Sequence, residues 1–385
     1  MSKIVKIKLK ENPQSYRIEI GCDLLKTCGG WAKRCLRKET QKVVIISNAK
    51  VFALYGEAVK KSFEDAGFEV FVWKMGDGEK YKNFLSLENA LKFFSENKLK
   101  RTDAIVALGG GVVGDLAGFA VSIYLRGISF LQIPTTVLAM IDSSVGGKTA
   151  VNTNFGKNLI GAFYHPKGVL IDIETLRTLP QREITAGFCE AVKQSVISSR
   201  KFFNQTKEFL EKFPTDTFKT HFSNSEFLDN LQKFLSAQVA FKAKIVAGDE
   251  REEANRTDSR SRKILNFGHT VAHALEKVTG YKRFRHGEAV AYGMLAAGEI
   301  SKRIGIFEED DFDLLNDAIH LTGKLPPTEN IKSEEVIKAL AFDKKQTSDS
   351  LQWILLEAIG KPVILQSRDI PDSIIKNSIE KILKK

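Results

Sequence analysis

The apolar positions in the first half of the chain fall in short unbroken runs. Val43-Val44-Ile45-Ile46 closes at Ser47-Asn48, and Val70-Phe71-Val72-Trp73 is a second run. Ala104-Ile105-Val106-Ala107-Leu108 runs straight into glycine, and Phe130-Leu131-Gln132-Ile133 ends at Pro134. Such β-branched runs with turn residues at their ends predict buried strands. Between them, Val59 to Ala66 and Phe84 to Asn97 carry apolar residues at helical spacing. Strand and helix in alternation predict an α/β region with a mostly parallel sheet covered by helices.

The pattern changes near Pro180. Pro180-Gln181-Arg182-Glu183 has proline beside an early acid, as helix starts do. Ser223 to Val246 is a long amphipathic stretch with Phe227, Leu231, Phe234 and Leu235 on one helical face. A mainly α-helical second domain, 181–385, is therefore expected after an α/β domain, 1–180. A chain of 385 residues exceeds one compact core, which agrees with two domains. Asp249 to Lys263 is almost devoid of apolar residues and is expected to be a solvated loop for most of its length.

Met1 to Leu9 alternates apolar and basic residues and predicts a strand, not a signal peptide. No apolar run approaches the roughly 18 residues of a membrane span. A cytoplasmic protein without a membrane partner is expected. Cys22, Cys28, Cys35 and Cys189 include no C-x-x-C pair and are expected to be ordinary buried thiols.

The net charge of +11 fits either a nucleic-acid surface or a cleft for a small anion. No zinc-finger spacing or aromatic RNA-binding motif is present. Several Lys and Arg residues lie instead inside Gly-rich or His-bearing segments, which favours the small anion. Gly109, Gly111 and Gly114 fit G-x-G-x-x-G between a strand and a helix, where free N–H groups meet a pyrophosphate. The acid expected about 20 residues later is missing. Asp142 to Thr149 resembles the end of a nucleotide P-loop, but Asp142 stands where its first glycine belongs. That backbone can still cup a phosphate beside Lys148.

His269 and His273 are four apart and share a helix face, and His286 follows after a loop containing Gly280. Glu190 is followed one turn later by Lys193. Two His and one carboxylate form a common catalytic zinc set with positions left for substrate. Spacing alone does not decide which two imidazoles take part. The motif is not H-E-x-x-H.

Taken together these segments resemble the 3-dehydroquinate synthase family. The likeness runs from about Val43 to Lys361. It is carried in order by DGEKYK (Asp77–Lys82), GGGVVGDLAGF (Gly109–Phe119), YLRG (Tyr124–Gly127), IPTT (Ile133–Thr136) and DSSVGGKTAVN (Asp142–Asn152). GKNLIGAF (Gly156–Phe163), EAVK (Glu190–Lys193), LNFGHTVAHALE (Leu265–Glu276), HGEAVAYGM (His286–Met294) and DKK (Asp343–Lys345) follow.

The resemblance implies a Rossmann-like NAD-binding domain, a helical domain, and a site between them. It implies NAD+ held by Asn48, by Asp77, Gly78, Glu79, Lys80, Tyr81 and Lys82, and by the turn Gly111, Val112, Val113, Gly114 and Asp115. Thr135, Thr136, Lys148, Lys157, Thr175 and Thr178 complete that set. Glu79 and the Ser47-Asn48 strand end then do the work of the missing ribose acid. Zn2+, or Co2+, is implied at Glu190, His269 and His286, with His273 beside them or at the substrate phosphate.

The implied substrate is 3-deoxy-D-arabino-heptulosonate 7-phosphate, an anionic sugar-acid phosphate. Its phosphate falls to Lys148, Asn158, His273 and Lys345, with Arg126 reaching in from a second copy in a homodimer. Its carboxylate falls to Lys242 and Arg262, and Asp142, Lys193 and Asn266 face the ring oxygens. The implied reaction is transient oxidation, phosphate elimination, re-reduction and an aldol ring closure, by a carbon–oxygen lyase of the shikimate pathway to the aromatic amino acids.

Two departures stand out. The family's short E-x-G-x-R stretch is interrupted by the insertion Glu253 to Ser261, so that Arg262 comes late, the glycine is absent, and either Asp258 or Glu252 replaces the usual acid. Ala272 replaces a common glycine. The rivals are another sugar phosphate cyclase, whose substrate lacks the carboxylate, and a zinc- and NAD-dependent polyol-phosphate dehydrogenase.

Overall fold

A computed structural model describes residues 15–346 and 351–384, the side chains of 341–346 excepted. The strand expected at Met1 to Leu9 lies outside the described residues. The chain runs β1 (Arg17–Gly21), α1 (Cys28–Cys35), β2 (Lys42–Asn48), α2 (Ala49–Val51), α3 (Glu57–Asp65), β3 (Glu69–Met75) and α4 (Phe84–Glu96). β4 (Ala104–Gly109), α5 (Gly111–Ile123), β5 (Ser129–Pro134), β6 (Lys148–Thr153), β7 (Gly156–Phe163) and β8 (Gly168–Asp172) follow. The later half holds α6 (Gln181–Ser198), α7 (Arg200–Lys212), α8 (Ser225–Gly248), α9 (His269–Val278), α10 (His286–Arg303), α11 (Glu309–Leu321), α12 (Ser333–Gln346), β9 (Gln352–Ala358), β10 (Lys361–Gln366) and α13 (Asp372–Leu383).

Six strands form one parallel sheet in the order β1-β8-β5-β4-β2-β3. The four apolar runs are its middle and one edge, and both faces are covered, which is why they do not alternate with polar residues. On one face Val44, Ile46, Ile105, Ala107 and Phe130 pack against Leu87, Phe94, Leu116 and Ala120 of α4 and α5. On the other, Val43, Ile45, Val106, Leu108, Leu131 and Ile133 pack against Trp31, Val59 and Phe63 of α1 and α3. The chain leaves β2 toward β3 on one side and returns to β4 on the other. Between the carboxyl ends of β2 and β4 this reversal opens the crevice in which open α/β sheets bind ligands.

A third core joins Val137, Ile141, Val169 and Ile171 of the sheet side to the helices. Phenylalanines fill its centre: Phe188 of α6 meets Phe218 edge-on at 5.4 Å, and Phe209 stacks on Phe234 at 4.3 Å. Aromatic pairs in these geometries add to the burial of their area.

The later half is not wholly helical. β9 and β10 form an antiparallel hairpin turned at Gly360, whose φ is +87°. β6 and β7 form a second hairpin beside the main sheet. No described helix is long and apolar enough to cross a membrane. All four cysteines are free; Cys28 and Cys189 are buried, whereas Cys22 is exposed, contrary to the expectation of buried thiols. Burial pushes the thiols of Cys28 and Cys189 up to about 11 and about 12.

Candidate active site between the sheet and the helices

The crevice begins at the strand ends. Ser47 Oγ donates to the Leu108 carbonyl at 2.8 Å and so ties β2 to β4. Asn48 caps the short α2, accepting from Val51 N at 2.9 Å, and donates to Asp77 at 3.2 Å. At the start of α5, Gly110 offers no side-chain cap. The Gly111 and Val112 N–H groups therefore face out of the helix without an intrahelical acceptor. Asp115, one turn on, pairs with Lys82 at 2.8 Å, and Lys82 stands 3.6 Å from Glu79. Lys82 is 4% exposed, so both acids hold a buried ammonium at the mouth of the crevice. Burial works to raise the Glu79 carboxyl, but Lys82, Lys157 and the Asn152 amide outweigh it and lower it.

Gly78, Lys80 and Tyr81 form the turn beside Glu79, with the Lys80 ammonium over the Tyr81 ring at 4.9 Å. Thr135 is buried at the end of β5, and Thr136 Oγ1 accepts from Ala139 N at 3.1 Å. Thr178 meets the hydroxyl of Tyr55. Thr175 turns inward and donates to the Asp172 carbonyl at 2.7 Å. Tyr55, which joins both threonines, carries no motif that marks it in the sequence.

The P-loop-like stretch is not a phosphate loop at a helix start. Gly146 and Gly147 turn the chain, with φ +101° and +65°, and Lys148 opens strand β6. Lys148 pairs with Glu252, which also accepts from Asn266 Nδ2 at 3.1 Å. Glu252 is thus the acid of the interrupted stretch that reaches the site; Asp258 pairs with Arg256 on the exposed side. Asp249 closes the insertion at its base, accepting from Glu253 N at 2.9 Å and Arg262 N at 2.7 Å. The Arg262 guanidinium, 2% exposed, donates to the carbonyls of Gly146 at 2.9 Å and Glu250 at 2.6 Å.

Lys242 of α8 is buried and donates to both Asp142 O and Asp142 Oδ1 at 2.7 Å. Burial, Lys193 and Arg262 push its ammonium down, against the pull of Asp142. Burial also disfavours the Asp142 carboxylate, yet Lys242 and Lys193 hold it well below the usual range. Three buried cations thus lie around Asp142.

Glu190 lies in α6, His269 opens α9 and His286 opens α10. These helices approach with backbone nearly touching. A Cβ on Gly287 would sit 1.9 Å from the Ala186 carbonyl oxygen, and one on Gly293 1.8 Å from that of Gly268. Only glycine permits either approach. Glu288 does not join the histidines: it accepts from Arg182 at 2.9 and 2.6 Å and from Arg285 N at 2.7 Å, which fixes the start of α10.

Glu190 Oε1 stands 3.8 Å from His269 Nε2 and 3.5 Å from His286 Nε2. One ligand atom from each of the three residues lies within 4.8 Å of the others. Both Glu190 oxygens are buried and accept no hydrogen bond. Lys193 Nζ is 2.6 Å from Oε2, close enough to pair as ions but not aligned as a donor. A buried carboxylate with unfilled lone pairs beside two imidazoles suits a tetrahedral divalent cation. Burial, with Lys193 and the neighbouring imidazoles, pushes His269 well below its ordinary range and keeps its lone pair available. The His269–His273 pair, four residues apart, does not chelate together; exposed His273 groups with Glu276 and His286 instead.

Glu276 was not among the residues singled out in the sequence, although it shares a face of α9 with His269 and His273. Arg126 is exposed at the far end of α5, a helix length of about 20 Å from the glycine turn. Asn158 is exposed on β7 with φ +56°. Lys345 has its backbone in α12 and its side chain outside the described residues.

Residues 72–186 match the family profile "3-dehydroquinate synthase N-terminal", and residues 187–346 match "3-dehydroquinate synthase C-terminal". The chain is 39% identical to a curated 3-dehydroquinate synthase of Nostoc punctiforme, covering 99% of each. It is 40% identical to that of Thermodesulfovibrio yellowstonii, covering 92% of this chain and 94% of the relative. Among solved structures, a 2-deoxy-scyllo-inosose synthase complexed with carbaglucose-6-phosphate, NAD+ and Co2+ superposes with a TM-score of 0.79. The two are 26% identical, over 94% of this chain and 96% of that one. ValA, a 2-epi-5-epi-valiolone synthase of Streptomyces hygroscopicus with NAD+ and Zn2+ bound, shares the fold at a TM-score of 0.85 and 22% identity, over 99% of each chain. With both family profiles matched in order along most of its length and near-complete relatives at about two-fifths identity, the chain belongs to the 3-dehydroquinate synthase family.

Proposed function

We propose that the chain converts 3-deoxy-D-arabino-heptulosonate 7-phosphate to 3-dehydroquinate and phosphate, as a lyase in which NAD+ is used and restored. The observation that carries this reading is the set of three buried cations, Lys193, Lys242 and Arg262, gathered about Asp142, with Lys193 also paired to Glu190 next to His269 and His286. Buried like charges of that number call for an anionic ligand. A sugar acid that carries a carboxylate besides its phosphate answers this demand.

Residues 1–180 hold the dinucleotide and 181–385 hold the metal and most of the substrate. The free N–H groups of Gly111 and Val112 take the pyrophosphate, and Asn48, Asp77 and Glu79 face the sugar–adenine side. NAD+ in this crevice supplies a transient hydride acceptor. Zn2+ or Co2+ held by Glu190, His269 and His286 supplies Lewis-acid polarisation of a substrate oxygen. Arg262 and Lys242 bind the carboxylate, the guanidinium suiting a two-point contact. Lys148, Asn158, His273 and Lys345 take the phosphate. Lys193, Asp142 and Asn266 orient the ring oxygens. The chain's part in phosphate loss is orientation and neutralisation of charge.

Arg126 serves the site of a second copy in a homodimer. Its place one helix length from its own glycine turn, next to exposed Ile123 and Leu125, supports this.

Incubation of the protein with the heptulosonate phosphate, NAD+ and Zn2+ tests the reading. Phosphate and dehydroquinate are expected in equal amounts without net NADH. Accumulating NADH overturns the proposal in favour of a dehydrogenase. Turnover of a sugar phosphate lacking the carboxylate, with none of the heptulosonate, indicates a different cyclase.

A further inference from the structure

The His286 imidazole lies between two carboxylates, one at each ring nitrogen. Nε2 is 3.5 Å from Glu190 Oε1, and Nδ1 is 3.6 Å from Glu276 Oε1. A neutral imidazole has one lone pair and one N–H. If Nε2 offers its lone pair to a cation beside Glu190, the N–H is at Nδ1, and Glu276 is the acceptor in front of it. His269 shows the same arrangement with a weaker partner: its Nδ1 faces the Phe267 carbonyl at 3.3 Å.

Glu276 is itself held in place. It is 3% exposed, and Lys157 Nζ lies 3.2 Å from its Oε1. Lys157 belongs to β7, on the sheet side of the cleft; its ammonium stands 4.5 Å from the centre of the Tyr281 ring and 3.9 Å from Glu79. The carboxylate is thus held from across the cleft by Lys157, facing the His286 ring. With Lys157 already at its side, Glu276 is poorly placed to serve as a ligand for a second cation between His273 and His286.

We infer that Glu276 is a positioning residue: it orients His286 so that Nε2 faces the metal, and its negative charge makes that nitrogen a stronger ligand. Carboxylates behind metal-bound imidazoles fix ring orientation and raise basicity, and losing one typically weakens metal binding 10- to 100-fold. The inference rests on the reading of Glu190, His269 and His286 as the metal group.

The test is Co2+ and Zn2+ affinity of the metal-stripped full chain by competition with a chromophoric chelator, together with the visible absorption of the Co2+ form. Three variants are compared with the parent. Glu276→Ala, which removes the acceptor, is expected to bind about 10- to 100-fold more weakly and to shift the Co2+ bands. Glu276→Gln keeps an acceptor without its charge and is expected to fall between alanine and the parent. His269→Ala is expected to lose the metal. Co2+ affinity within twofold of the parent and an unshifted spectrum in folded Glu276→Ala overturn the inference. If alanine does not fold, the same result in Glu276→Gln overturns it. Metal lost in His269→Ala but kept in both Glu276 variants sinks this inference alone. Metal kept in His269→Ala sinks the metal group, and this inference with it.

Discussion

The metal group and the anion pocket adjoin, yet they are built on opposite plans. Glu190, His269 and His286 all stand on helices locked by glycine-mediated backbone contact, and Glu190 is left without a hydrogen-bond donor. In the anion pocket, Lys148, Asn266 and Arg262 are engaged by groups at the base of an exposed insertion, with Glu252 and the Glu250 carbonyl as partners. The first plan fixes geometry and leaves the lone pairs of a buried carboxylate without a donor, although Lys193 stands beside it. The second ties part of its positive charge to a loop, through Glu252 and the Glu250 carbonyl. The candidate metal group therefore depends on helix packing, while the groups proposed to meet the substrate anion depend on a loop.

The hardest test of this contrast is His269→Ala. Loss of metal content and a fall in turnover on the order of 10³ or more are expected together, since several kcal/mol of polarisation are removed. Metal analysis and phosphate release measure the two, and a metal-free variant with full turnover would break the comparison. Next is Arg262→Ala. A KM for the heptulosonate phosphate higher by roughly 30-fold or more is expected, because losing one partner of a buried charged contact costs about 2–5 kcal/mol. Metal content should stay at the parent level; if it falls too, the two regions are not independent.

A smaller effect is expected from Gly146→Ala. Its φ of +101° disfavours a side chain, and the added Cβ would lie 2.5 Å from Arg262 Nη2. A stability loss of about 1–3 kcal/mol in chemical denaturation, with a raised KM, is the expected outcome. Smallest is Glu299→Gln, in α10 but away from both regions. Burial works to raise the Glu299 carboxyl, but Lys381, Arg303 and Lys302 outweigh it and hold it below its ordinary value. Its contribution to stability is therefore present above the unfolded value of about 4.5 and is lost as pH falls through the lower folded value. Denaturation midpoints of parent and variant should differ at pH 7 and converge in acid; a constant gap sinks this assignment.

Much of the fold was legible because periodicity encodes it. The runs at Val43, Val70, Ala104 and Phe130 are strands β2, β3, β4 and β5, and the long stretch from Ser223 is α8 (Ser225–Gly248). The hairpin of β9 and β10 escaped notice. Its unbroken Trp353-Ile354-Leu355-Leu356 run reads equally as buried helix, and Gly360 with Pro362 were the only marks of the turn. Residue type and spacing marked the three histidines as metal candidates, but the choice of His269 and His286 with Glu190 came only from the family resemblance. Glu276 was just as legible, lying seven residues after His269 on the same helical face. The choice between Glu252 and Asp258 was not, because a loop has no period from which to read direction. Glu252 adopts φ +55°, a local turn that a sequence pattern does not announce.

Helix α6 has a consequence for how this chain tolerates change. Glu190 and Lys193 are both buried on it, one turn apart, with Phe188 facing the aromatic core. Deleting or adding one residue between Gln181 and Glu190 would rotate everything beyond by about 100°, swinging the acid off its axis and a phenylalanine out of the core. The extra residues Glu253 to Ser261, in the segment after Glu252, leave the phase of every helix intact. Length is therefore free to drift in that loop and quantised in α6, so that homologues can differ in size at the former but must keep count along the latter.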